Sequence, residues 1–149
     1  METTTPGIGS DSPAPGLPLH LEFTTFIAME PVAKGRARMM KSGRAYTPGK
    51  TRHAEARMQM QVAHEWAGTP LSGPLHVVMV VNLLKPASAP KKRESYPTRR
   101  PDLDNFLKTL DALNGIAWAD DSQILSITAS KRYSTKQGIG IRIYSYVVN

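Results

Sequence analysis

Apolar and polar positions alternate along residues 20–29, "HLEFTTFIAM", which places Leu21, Phe23, Thr25, Ile27 and Met29 on one side of an extended chain. This predicts a first strand. A different rhythm follows: Met58, Val62 and Trp66 recur every fourth residue and predict a core-facing helix from about Thr51 to Ala67. Thr51 is its expected N-cap, with Gly68 and Pro70 just past its end. "GPLHVVMVVNLLK" is apolar on both alternations, as expected of a central strand at about 75–84 covered on both faces. Phe106, Leu107, Leu110 and Leu113 have the spacing of an amphipathic helix that Asn114-Gly115 would end. "SQILSITASKRYS" and "GIGIRIYSYVV" then alternate as two strands, expected to be antiparallel neighbours across a short turn. The order strand, helix, strand, helix, strand, strand predicts an α+β domain: a small mixed β-sheet with two main helices packed on it.

The segments between these elements set the domain limits. Residues 1–19 carry four prolines and three glycines and read as a flexible N-terminal tail, leaving residues 20–149 as one domain. "KSGRAYTP" is a hairpin tip or a loop. Residues 85–101 hold four prolines, and a loop this long usually has a function.

Charge and composition then change the picture. The chain has 149 residues and a net charge of +7, which favours a polyanionic partner, usually nucleic acid, or serves solubility alone. It contains no cysteine, so disulfides and thiolate zinc sites are excluded and an intracellular, cytoplasmic setting is expected. No apolar run is long enough to span a bilayer, and the first residues are not expected to be a secretory signal.

Against this basic background, residues 99–124, "RRPDLDNFLKTLDALNGIAWADDSQI", hold five of the twelve acidic residues. Asp102 and Asp104 flank Leu103 just after Pro101, where extended chain is expected; residues two apart there point the same way, roughly 6.6 Å apart. Asp120 and Asp121 follow, and at most one of them would easily join the first pair. Three clustered carboxylates stay ionised only with a compensating cation. Lys108, one helical turn beyond Asp104, offers one charge; a hard divalent ion, Mg²⁺ or Mn²⁺, offers two. The plainer alternatives are a helix cap at Asp102 or Asp104, a surface Asp104–Lys108 pair, and turn residues at Asp120-Asp121. Asp111 is expected to be structural or supporting.

"RPDLDNFLKTLDALNGIAWADDSQI" resembles the RusA family of Holliday junction resolvases: a D-x-D-N, a Lys in the same helix, a "DAL" and Gly, then "DD-x-Q". The upstream "KGRARMMKSGRAYTPGKT" resembles that family's basic segment, departing at Ala37 and Met39-Met40, and the likeness covers about residues 21–146. The resemblance implies an Mg²⁺-dependent homodimeric endonuclease, Mn²⁺ being a possible substitute, that resolves four-way DNA junctions in recombination and repair. It implies a bacterial or phage-encoded enzyme. It places the metal-binding carboxylates at Asp102, Asp104 and Asp121, the essential lysine at Lys108, and a supporting role at Asp120. Lys34, Arg36, Arg38, Arg44, Lys91, Lys92, Arg93, Arg99 and Arg100, in the two basic stretches beside these residues, are the candidate phosphate contacts. A two-fold dimer would match the two-fold symmetry of a junction. The rival readings are a metal-dependent nuclease of other branched or flap DNA, and a non-catalytic basic DNA-binding module. His53 and His64 are expected on the surface, Trp66 and Trp118 in the core, and His20 and His76 have no evident partner.

Overall fold

The computed structural model describes residues 18–34, 38–46 and 48–147, without the side chains of Arg38 and Tyr46. The expected tail lies almost wholly outside the described residues, as does Arg36. In chain order the strands are β1 (Leu19–Ile27), β2 (Arg38–Met39), β3 (Ala45–Tyr46), β4 (Leu75–Leu83), β5 (Ile124–Tyr133) and β6 (Gly138–Tyr146). Helix α1 spans Gly49–Glu65 and α2 spans Leu103–Leu107, continued as a 3₁₀ helix over Lys108–Leu113. The mixed sheet expected from the element order is present, with strand order β1-β6-β4-β5. The basic "KSGR" stretch is a hairpin tip between β2 and β3, where the Met40 amide donates to Arg44 O at 2.7 Å.

β4 takes the inner position that its two apolar faces require. β5 pairs with it in parallel and β6 pairs antiparallel on its other side. β5 and β6 are therefore not the antiparallel neighbours their short connection predicts. Residues 134–137 carry the chain over the end of β4: the Ser134 amide donates to Leu83 O at 2.8 Å, and Asn82 Nδ2 donates to Lys136 O at 3.1 Å. Two strand spacings are about 10 Å, within the reach of four extended residues. Burying β4 between two partners outweighs the local preference for a hairpin.

Val77, Met79 and Val81 of β4 and Ile139, Ile141 and Ile143 of β6 form one wall of the core. Met58 and Val62 of α1, then Phe106, Leu110, Leu113 and Trp118, close it from the other side, all at 3% exposure or less. Each such side chain contributes roughly 1.5–3 kcal/mol by leaving water. β1 joins this face through Phe23, Thr25 and Ile27. Its register shifts between Leu21 and Phe23, so Leu21 pairs beside Tyr144 and is 46% exposed instead of sharing the core face. α1 begins two residues before the expected cap: Pro48 occupies the N-cap and Thr51 is buried within the helix. His53 and His64 are exposed on it, as expected. On the sheet's other face His76 does have partners: its Nδ1 lies 2.6 Å from Ser126 Oγ, which lies 2.6 Å from Tyr146 Oη.

Candidate active site

The acidic segment is placed by its apolar residues. Phe106, Leu110 and Leu113 fix one side of the α2 and 3₁₀ run in the core, which leaves Asp102, Asp104, Lys108 and Asp111 in solvent. Asp102 is extended (φ −70°, ψ 150°) at the N-cap, but Asp104 already lies in the first turn. The pair is therefore not the continuous extended stretch that Pro101 suggests, and the two residues no longer share a side as they would in a strand. Neither of the two plainer roles offered for Asp102 and Asp104 is made by the bonds seen around Asp102 and Lys108. Asp102 makes no side-chain capping bond, and Lys108 Nζ donates to Asn105 Oδ1 at 3.1 Å instead of pairing with Asp104.

The second acidic element is fixed by Trp118. Gly115, at φ +82°, reverses the chain after the 3₁₀ helix, a conformation that suits glycine. The turn is held beside the segment before β4 by backbone bonds from Leu71 to Ala117 O (2.8 Å) and from Ala119 to Leu71 O (3.1 Å). Trp118 is fully buried, and its indole Nε1 donates to Asp121 Oδ1 at 2.7 Å. Asp120 caps the short 3₁₀ helix Asp121–Gln123: it accepts from the Ser122 amide and hydroxyl, while Gln123 Oε1 accepts from the Asp120 amide at 2.7 Å. The Ser122 hydrogen bonds hold the Asp120 carboxyl below the usual carboxylate range. Gln123 Nε2 also donates to Leu71 O and Gly73 O, both at 2.9 Å. The "DDSQ" sequence is thus a built turn that presents Asp121, and Asp120 supports it structurally.

Asp102, Asp104 and Asp121 offer oxygen donors only, and none of them is in an ion pair among the described residues. That donor chemistry fits a hard divalent cation of the Mg²⁺ type, which needs only one or two carboxylates together with water and phosphate oxygens. Among the described residues, however, no three His, Cys, Asp or Glu side chains form a group able to hold one metal ion. The three carboxylates expected to share one ion are not gathered by the chain alone, and an ion of this type would need water and phosphate oxygens beside them. Asp104 has turned with the helix, and one oxygen of Asp121 is engaged by Trp118.

The basic residues divide into two kinds. Lys34 is internally paired: its Nζ lies 3.1 Å from Glu55 and 3.7 Å from Asp111, and its amide donates to Asn105 O at 2.9 Å. It joins the chain after β1 to α1 and to the acidic segment, so it is not a free cation awaiting phosphate. Asp111 belongs to that tie, which is the structural one of the two roles expected of it. Arg44, Lys91, Lys92, Arg93, Arg99 and Arg100 are exposed. The backbone of Arg38 lies in β2, and Arg36 falls outside the described residues. A cleft of about 610 Å³ adjoins the acidic segment and is lined in part by Lys50, Arg99, Arg100, Pro101, Phe106 and Tyr133.

Two contacts escape the sequence reading. Trp118 precedes Asp121 by three residues, a spacing that only a turn makes into a contact. Lys131 Nζ donates to Arg99 O at 2.8 Å and to Pro101 O at 2.9 Å. Its signal was a cation in the apolar register of an alternating strand.

No helix among the described residues is long and apolar enough to cross a membrane. Residues 28–144 match the family described as Endodeoxyribonuclease RusA. The chain is also similar to a Bacillus subtilis (strain 168) protein called "Uncharacterized protein YqaN", with 30% identity over 138 residues, covering 83% of this chain and 94% of that one.

Proposed function

From the premise that this chain belongs to the RusA family of endodeoxyribonucleases, whose nucleases are metal-dependent and act on DNA junctions, we propose that it resolves four-way junctions by paired symmetric nicks, working as a homodimer with Mg²⁺. The observation that carries this reading is the set of unpaired carboxylates on the α2 segment and the Trp118-anchored turn, in a chain whose other charges are mostly positive.

Asp102, Asp104 and Asp121 would hold the ion, with Mn²⁺ as a possible substitute. A bound divalent cation polarises a phosphate oxygen and makes water a better nucleophile at neutral pH. The rest falls to the chain's own groups. Lys108, exposed and held by Asn105, supplies a positive charge beside the carboxylates, where it would stabilise charge on the phosphate or the leaving oxygen. Trp118 keeps one oxygen of Asp121 engaged, and the other would be the one offered to the ion. Asp120 holds the turn. The exposed Arg44, Lys91, Lys92, Arg93, Arg99 and Arg100, with Arg36 and Arg38 from the same basic segment, would bind the sugar-phosphate backbone by displacing counterions. Two copies related by a two-fold axis would present two such sites to a substrate of the same symmetry.

The test is incubation of the purified protein with a synthetic mobile four-way junction, with and without Mg²⁺, beside three-way and linear DNA. The expected result is paired symmetric nicks in the four-way substrate, only with metal. Asp102→Asn and Asp104→Asn should bind the junction as the wild type does and lose cleavage. Undiminished cutting by either variant rejects the site; equal cutting of all three substrates rejects the junction specificity.

A further inference from the structure

We propose that Lys131 is a positioning residue for the Asp102 segment, holding the peptide plane from which that carboxylate projects; this rests on Asp102 being a metal ligand, as read above. β5 is an edge strand of the sheet, and Lys131 pairs with Val81, a residue of the core-facing row that is 0% exposed. Its neighbours in the same register are Ala129 and Tyr133, opposite Met79 and Leu83. An apolar side chain is the simple choice at such a position. The Lys131 stem is partly buried in that row while its ammonium reaches the exposed rim, where a lysine left unconstrained would simply point into water. Two of its three donors are instead engaged, by Arg99 O at 2.8 Å and Pro101 O at 2.9 Å. No carboxylate pairs with it among the described residues.

The choice of acceptors points to the role. The Pro101 carbonyl and the Asp102 amide belong to one rigid peptide plane, so fixing Pro101 O fixes the orientation in which Asp102 begins. The Arg99 carbonyl lies on the other side of Arg100. One side chain therefore spans Arg100 and sets the course of the chain into the site. On the far side of Asp102, its own carbonyl accepts from the Asn105 amide at 3.1 Å and starts α2. Only five residues of α-helix follow, too few to hold their own geometry without such outside support. Partners that orient a metal ligand matter by about 10–100-fold in metal affinity when they are removed. A sulfur-containing side chain of similar length at 131 would keep the packing and remove both bonds. Arginine would restore the donors.

The experiment compares wild type, Lys131→Met and Lys131→Arg by three readouts. The first is amide hydrogen exchange in metal-free protein at Asn105, whose bond depends on the Asp102 carbonyl. The second is Mn²⁺ binding followed by electron paramagnetic resonance. The third is junction affinity in EDTA. Lys131→Met should exchange faster at Asn105, bind Mn²⁺ about tenfold more weakly, and keep junction affinity within about twofold. Lys131→Arg should recover most of the metal affinity. Unchanged Asn105 exchange, or Mn²⁺ affinity within about twofold of wild type in Lys131→Met, overturns the proposal. So does a loss of junction affinity with exchange unaltered, which would make Lys131 a DNA contact. The exchange measurement needs neither metal nor DNA, so a wild type that fails to cut junctions refutes the proposed function without deciding this one.

Discussion

Breaking the Trp118–Asp121 bond should separate a structural anchor from a chemical one. The perturbation is a double-mutant cycle with Trp118→Phe and Asp121→Ala. The indole donor is fully buried and its acceptor half-buried, at 2.7 Å. A hydrogen bond to a charged group contributes about 1.5–3 kcal/mol. Water can reach part of Asp121, which argues for a value at or just below the lower limit of that range, about 1–1.5 kcal/mol. Trp118→Phe also leaves a partial cavity in the core, costing about 1–2 kcal/mol more. The single variant should therefore lose about 2–3.5 kcal/mol. For a chain of this size that lowers Tm by about 4–14 °C. The cavity contribution is the same whether or not Asp121 is present, so it cancels in the cycle and leaves a coupling of about 1–1.5 kcal/mol. Urea denaturation monitored by circular dichroism measures all four proteins. A double variant within about 0.3–0.5 kcal/mol of additivity would refute the reasoning, because it would mean that Trp118 holds Asp121 no better than solvent does.

Two further outcomes are expected. Gly138 sits at φ +157°, and a Cβ added there would lie 2.4 Å from Ile27 O, so Gly138→Ala should cost about 3 kcal/mol or more in calorimetry, whereas a drop below 1 kcal/mol would mean that β1 and β6 adjust freely. Arg99→Ala with Arg100→Ala should reduce the slope of log affinity against log salt by about two in junction binding, whereas Lys34→Met should leave that slope unchanged because Lys34 is already paired with Glu55 and Asp111; a reduced slope in Lys34→Met would return it to the DNA-contacting set.

The sequence carried the elements better than their arrangement. β4 was legible because an inner strand must be apolar on both alternations, and α1 because Met58 and Val62 repeat at the helical period. The order of strands was not, because a four-residue connection looks the same whether it closes a hairpin or steps over a third strand. The shift at Leu21 was hidden for a similar reason: alternation predicts a face only while the register is unbroken. At the site, residue types and spacings marked the acidic segment, but the local contacts turned on choices that spacing does not encode. Lys108 had Asp104 and Asn105 both within reach and took the neutral partner. Lys34 lay in a basic run that resembles a DNA-binding stretch, yet two carboxylates from α1 and the 3₁₀ helix claim it. Trp118 was correctly expected in the core, and its single polar atom made it a partner of Asp121 as well.

The placement of β6 between β1 and β4 has a consequence for biosynthesis. This strand leaves the ribosome after every other strand of the sheet, yet its Ile139, Ile141 and Ile143 complete the interior and join two strands that are not paired with each other. A nascent polypeptide stalled before residue 138 would expose β4 along one whole edge and leave β1 without its pairing partner. Such a fragment would be prone to aggregate and would be prey for proteases. The acidic segment, already translated by then, would rest on an incomplete support until β6 is in place.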